Sequence, residues 1–119
     1  MPTTAPATHI DDVPYGNSVE ICGRVSAEPV VRTLPSGDTL TTFRVIVRRS
    51  AKALKRSKVS VDTFDCVAWS ASMQRSAQRL QAGDVVAVGG ELRRRFQRTG
   101  STPVSRVDVE VTRCRRVRS

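Results

Sequence analysis

The cations of this chain fall in blocks, and the blocks are what could do chemistry. Residues 44–58 carry seven cations and no acid, residues 93–98 carry four more, and residues 113–118 another four. Arg outnumbers Lys by 17 to 3. Clustered positive charge selects an anionic partner. A guanidinium suits phosphate, because its fork bonds two oxygens at once and its plane stacks on a base. The net charge of +9 and a sequence pI of about 11.0 agree with a nucleic-acid partner. Strand alternation puts Arg44 and Arg48 on one face of "TTFRVIVRR", and Arg93 and Arg95 on one face of "LRRRF", with Arg94 opposite. The run "RRSAKALKRSK" adds Arg49, Lys52, Lys55, Arg56 and Lys58. Single strands are held by such a basic groove together with aromatic faces for the bases. Aromatic residues are few, at 4%. Trp69 and Phe96 are the candidates for stacking, whereas Phe43 and Phe64 alternate with polar neighbours and are assigned to the core.

Other chemistries find no residues to carry them. Acids are scattered, and the one histidine, His9, lies in a polar N-terminal stretch far from any cysteine. There is no P-loop, no GxSxG and no metal-ligand spacing, so no catalytic residue, metal or cofactor is expected, and no small-molecule substrate. The serines of "SASM" open a helix and cap it. Cys22, Cys66 and Cys114 lack CxxC spacing and are expected to be buried, reduced thiols. No apolar run is long enough to span a bilayer, and "MPTTAPATHIDD" has no apolar signal core. A cytoplasmic, nucleoid-associated protein without a membrane partner is the expectation.

A length of 119 residues suggests one domain able to hold its own core. Residues 1–16 are expected to form a flexible, polar N-terminal lead-in with Tyr15 docked. "NSVEICGRV" alternates as a first strand, and "LPSGD" is a turn. "TLTTFRVIVRR" is a second strand and "VSVDTFDCVAW" a third. "SASMQRSAQRLQAGD" reads as the one good helix, with a Ser N-cap, Met73, Ala77 and Leu80 on one face, and Gly83 as its stop. "DVVAVGGELRRRF" and "PVSRVDVEVTRC" are strands four and five, with "TGS" as their turn. Five antiparallel strands with a helix between the third and fourth define an all-β, five-stranded OB-fold Greek-key barrel. It occupies residues 17–114, and residues 115–119 form a short basic end. A split β-α-β sandwich is the alternative architecture.

The order "GRVSAEPVVRTLPSGDTLTTFRVIV", "FDCVAW", helix, "LQAGDVVAVGGELRRRF" resembles the bacterial single-stranded DNA-binding protein family, from Asn17 to about Val111. The resemblance implies an OB-fold, a homotetramer (with a dimer as the lesser option), and a role in coating single-stranded DNA during replication, recombination or repair. It implies base stacking by Trp69 and places Arg32, Arg44, Arg93 and Arg95 near the DNA path. Three family aromatics are missing: Thr63 stands at one position, Ala51 or a neighbour at another, and Gln97 at a third, which Phe96 fills only if its strand is bulged. The last hairpin also looks short. Fewer stacks imply weaker, more salt-sensitive binding. Members end in an acidic tip where this chain ends "RCRRVRS", which implies a tail-less or specialised member.

The run "RRSAKALKRSK" would then be a mobile arm between strands two and three. Its single turn of apolar residues cannot hold an isolated helix. It is expected to act through phosphates alone. An RNA-binding OB domain, or a module that docks onto a primosome or onto a family member, are the alternatives to single-stranded DNA binding.

Overall fold

The computed structural model describes residues 14–119, apart from the side chains of 97–99. Most of the expected lead-in therefore lies outside the described residues, and Tyr15, at its end, is exposed rather than docked.

Alternating apolar residues make the strands, and the barrel interior collects them. β1 (Val19–Val25), β3 (Thr39–Arg48), β4 (Val61–Ala68), β5 (Val85–Thr99) and β6 (Thr102–Arg118) form a ring. β2 (Val30–Thr33) is a short extra strand that folds back on β3 through the "LPSGD" turn, where Gly37 takes a positive φ of 93°. Around the ring, β1 pairs β5, β5 pairs β6, β6 pairs β4, β4 pairs β3, and β3 returns to β1. Two of these contacts are only two residue pairs long: β1 with β3, and β4 with β6. The β4–β6 contact is parallel, which corrects the expectation of an all-antiparallel set. β4 and β6 are separated by α2 and β5, so no hairpin sets their relative sense, and alternation within a strand carries no signal of it.

Val25, Phe43, Val45, Cys66, Ala68, Val86, Val88, Val109 and Val111 fill the interior, joined by Ala77 of the helix and by Leu80, which follows it. Two close backbone approaches need glycine. A Cβ at Gly23 would stand 2.1 Å from the Ile46 carbonyl oxygen, and one at Gly90 would stand 1.9 Å from that of Glu110. The Gly89/Gly90 step also carries a bulge that bends β5 around the barrel.

α2 (Ala71–Gln78) starts where Ser70 accepts a hydrogen bond from the Met73 N–H. It ends at Arg79, earlier than the sequence suggests, and Gly83 serves the following turn at a φ of 93°. The buried hydroxyl of Thr41 donates to Gln74 Oε1 and accepts from Gln78 Nε2, which ties the helix to β3.

Four further expectations are corrected. The run after β3 does form a helical turn, α1 (Ala51–Leu54), because Ser50 caps it by accepting from the Ala53 N–H, and the hairpin anchors both its ends. The β5–β6 hairpin is long, at 15 and 17 residues, and β6 continues through the basic end to Arg118. Its exposed outer half has no apolar alternation to mark it. Phe64 is 36% exposed although it stands opposite the buried Val45, because β6 pairs with β4 only at Cys66 and Val67 and leaves that side of Phe64 without a strand. Of the cysteines only Cys66 is fully buried, its thiol pushed up to about 12 by burial and by the neighbouring charges, whereas Cys22 is exposed on the outer face of β1.

Candidate nucleic-acid interface

Strand register brings the candidate arginines to one outer face. Arg44 of β3 stands opposite Asp65 of β4. Val67 of β4 stands beside Glu110 of β6, and on β5 and β6 Arg93 faces Asp108 and Arg95 faces Arg106. Cross-strand partners share a face, so Arg44, Asp65, Glu110, Asp108, Arg93, Arg95 and Arg106 all point outward together. The β2–β3 hairpin rises beside them. Between hairpin and sheet lies an open cleft of about 620 Å³, lined by Arg32, Arg44, Arg95 and Arg106, the carboxylates of Asp65 and Asp108, and the less polar Val30, Leu34, Leu40 and Phe43.

Two of the four cleft arginines, Arg44 and Arg95, are held by acids, as is Arg93 beside them on β5. Arg44 Nε donates to Asp65 Oδ1 at 2.8 Å, and Arg95 Nε lies 3.0 Å from Asp108 Oδ2. Arg93 bonds Glu110 and reaches Glu91 at 3.4 Å; these contacts raise its guanidinium further above its ordinary range, the Glu110 hydrogen bond most of all. Arg93 and Arg95 pair diagonally with Glu110 and Asp108, each acid two residues along β6 from the arginine's direct partner. Asp108 is 8% exposed, and burial pushes its carboxyl above the usual range; Arg95 opposes that shift, while Asp65 and Glu110 add to it.

Trp69 follows β4 directly and precedes the N-cap of α2, so it occupies a corner rather than a strand. Gln74 Nε2 fixes that corner by donating to the carbonyls of Trp69 and Thr39 at 3.0 and 2.9 Å. The indole is 38% exposed, and the Arg95 guanidinium lies over it, 5.5 Å from the ring centroid. Arg95 thus links the cleft to the aromatic face. Phe96 is 74% exposed, but alternation turns it with Leu92 and Arg94 to the opposite side of β5 from Arg93 and Arg95. The strand's bulges lie at Val85/Val86 and Gly89/Gly90, upstream of the position that would reverse this.

The arm differs. Arg49 makes a two-pronged pair with Asp62, at 2.7 and 2.9 Å; the hydrogen bond raises the Arg49 guanidinium and lowers the Asp62 carboxyl. Arg48, Lys52, Lys55, Arg56 and Lys58 are exposed and, among the described residues, make no ion pair, as is also true of Arg32. Sequence reasoning missed Arg106 and the carboxylates beneath the arginines. The alternation of "SRVDVEV" was a usable signal for Arg106 and Asp108, since it sets both on one face of β6. Among the described residues no group of three or more His, Cys, Asp or Glu side chains could hold a metal ion, and no helix is long and apolar enough to cross a membrane.

A five-stranded ring with a helix across one end, and a cleft between a hairpin and an arginine-lined sheet, define an OB-fold. A family model described as the single-strand binding protein family matches residues 16–117, and the chain belongs to that family. The single-stranded DNA-binding protein of Bacillus cereus is 32% identical over 79 residues, covering 66% of this chain and 46% of that protein. The single-stranded DNA-binding protein of Treponema pallidum is 31% identical over 97 residues, covering 81% and 54%. The chain thus spans about half the length of these curated relatives. Among solved structures, the chain in "Plasmodium falciparum SSB complex with ssDNA" superposes with a TM-score of 0.72 at 20% identity, covering 90% of this chain and 97% of that one, which supports the fold.

Proposed function

We propose that this chain binds single-stranded DNA along the cleft between the β2–β3 hairpin and the β3–β4–β6–β5 face. Phosphates would run past Arg32, Arg44, Arg93 and Arg95, with Arg106 beside them. Arg48, Arg49, Lys52, Lys55, Arg56 and Lys58 would add charge from the arm, and Trp69 would offer a face to a base. Phe96 could meet a strand only on the far side of β5. The observation that carries the reading is the meeting of three features at one place: a basic cleft, the one tryptophan of the chain, and Arg95 touching both. Membership of the family supports it. The same reading takes residues 17–114 as the binding domain of a non-catalytic protein. It takes the protein to be cytoplasmic and homo-oligomeric, with a tetramer favoured, and to protect strands exposed in replication, recombination or repair.

Titration with oligo-dT across salt tests this. Trp69 fluorescence should be quenched on binding, and Trp69→Ala should weaken binding by roughly 1–3 kcal/mol. Five neutralised phosphates would give a log–log salt slope of about −3.5. A flat salt response, or an unquenched signal with unchanged affinity in the Ala variant, sinks the reading.

A further inference from the structure

Arg95 cannot serve the indole, the carboxylate and a phosphate at once. Its Nε lies 3.0 Å from Asp108 Oδ2, and its guanidinium lies over Trp69, so one face of the ring is already covered. Asp108 is well placed to hold it there. Its side chain is 9% exposed while that of Arg95 is 35% exposed, so the anchor is fixed and the cation is the member free to swing. The other carboxylate oxygen, Oδ1, is buried without a hydrogen-bond partner among the described residues. Asp65 and Glu110 add negative charge around Asp108 and raise its need for a cation. An Arg on an exposed aromatic face is held only weakly, and a partly buried ion pair holds it at the cost of desolvating both charges. A phosphate that accepts two hydrogen bonds from the same guanidinium competes with both.

We propose that Asp108 is a positioning residue for the Trp69 face: it parks Arg95 on the indole in the free protein, and a bound strand takes Arg95 from ring and carboxylate together. The arginine then moves to phosphate as the base moves onto the ring. The proposal rests on the single-strand reading given above, but its first consequence belongs to the free protein. With the latch in place, Trp69 is shielded on one side before any strand is added.

The test uses Asp108→Asn, with Asp65→Asn as a control that adds the same charge in the same cleft. In the free protein, Asp108→Asn should increase the quenching of Trp69 by acrylamide, and Asp65→Asn should leave it unchanged. With oligo-dT, Asp108→Asn should bind up to about fivefold tighter at low salt, the order of size expected when one ion pair no longer has to be broken. Its salt slope should stay close to that of the parent, because Arg95 reaches the same phosphate in both complexes. Arg95→Gln is the second variant, for the case in which Asp108→Asn does not fold. It should expose Trp69 to acrylamide while weakening binding. Unchanged quenching in the variants that fold overturns the latch, and so does an equal rise in Asp65→Asn. If the unmodified protein fails to bind oligo-dT, the single-strand reading falls, while the free-protein quenching still decides whether Asp108 positions Arg95.

Discussion

The cleft and the arm carry the same kind of charge under different constraints. In the cleft, Arg44 and Arg95, with Arg93 beside them on β5, each rest on a carboxylate of a neighbouring strand, whereas Arg32 and Arg106 have none among the described residues. In the arm, Arg48, Lys52, Lys55, Arg56 and Lys58 have none among the described residues, and only Arg49, at the arm's root, is paired. A paired arginine is oriented, but the pair is neutral as seen from a distance. An unpaired lysine is unoriented, but its full charge is felt over about a Debye length. The cleft is thus built for geometry and the arm for attraction. A count of cations over the sequence hides this division.

Removing the arm's free charge should have the largest effect. Changing Arg48, Lys52, Lys55, Arg56 and Lys58 together to Gln should flatten the oligo-dT salt slope by about 0.7 for each arm cation that meets a phosphate, with no change in the order of preference among homopolymers. A variant that kept the full slope would break the comparison, and the arm would revert to a solvated loop.

A finer contrast comes from a charge-neutral change. Deleting the Arg44–Asp65 pair as Arg44→Gln with Asp65→Asn should leave the salt slope nearly where it was. Lys55→Gln alone should lower it by about 0.7. Equal losses would show that pairing does not discount a cleft arginine.

The smallest expected effect lies at the arm's root. The Arg49 hydrogen bond holds Asp62 below the ordinary aspartate range. The folded carboxyl therefore binds its proton less readily than the unfolded one. The pair's stabilisation is complete above the ordinary value of about 3.9 and fades as pH falls through the folded value. The Arg49 amide donates to the Ser60 carbonyl at 2.9 Å. Its hydrogen exchange should lose protection in Asp62→Asn at neutral pH, relative to the core strands. Protection equal to that of the parent chain would mean that Asp62 does not hold the root.

Much of the fold was legible because it rests on local rules. The alternation of Phe43, Val45 and Val47 marks a strand wherever it occurs, and Ser70 followed by Met73 and Ala77 marks a helix start. Phe64 was misread because alternation says which face a residue shares and not how far the barrel extends to cover it. The turn at Ala51–Leu54 was misread because its stability comes from the Ser50 cap and the hairpin that frames it. Among the site residues, Arg44, Arg93 and Arg95 were visible as charges. Their carboxylates were visible too, but nothing local joins Arg44 to an acid 21 residues away.

By itself the sequence determined the fold class, the alternation of faces, the helix cap and the places where cations gather. These depend on neighbours along the chain and on properties each residue carries with it. Only the tertiary structure decided which cations are held and which are free, and that Arg95 lies over Trp69. An ion pair or a cation on a ring exists only within a few ångströms and at the right angle. Strand register, the bulge at Gly89/Gly90 and the corner at Trp69 set those distances, and all three come from closing the sheet upon itself.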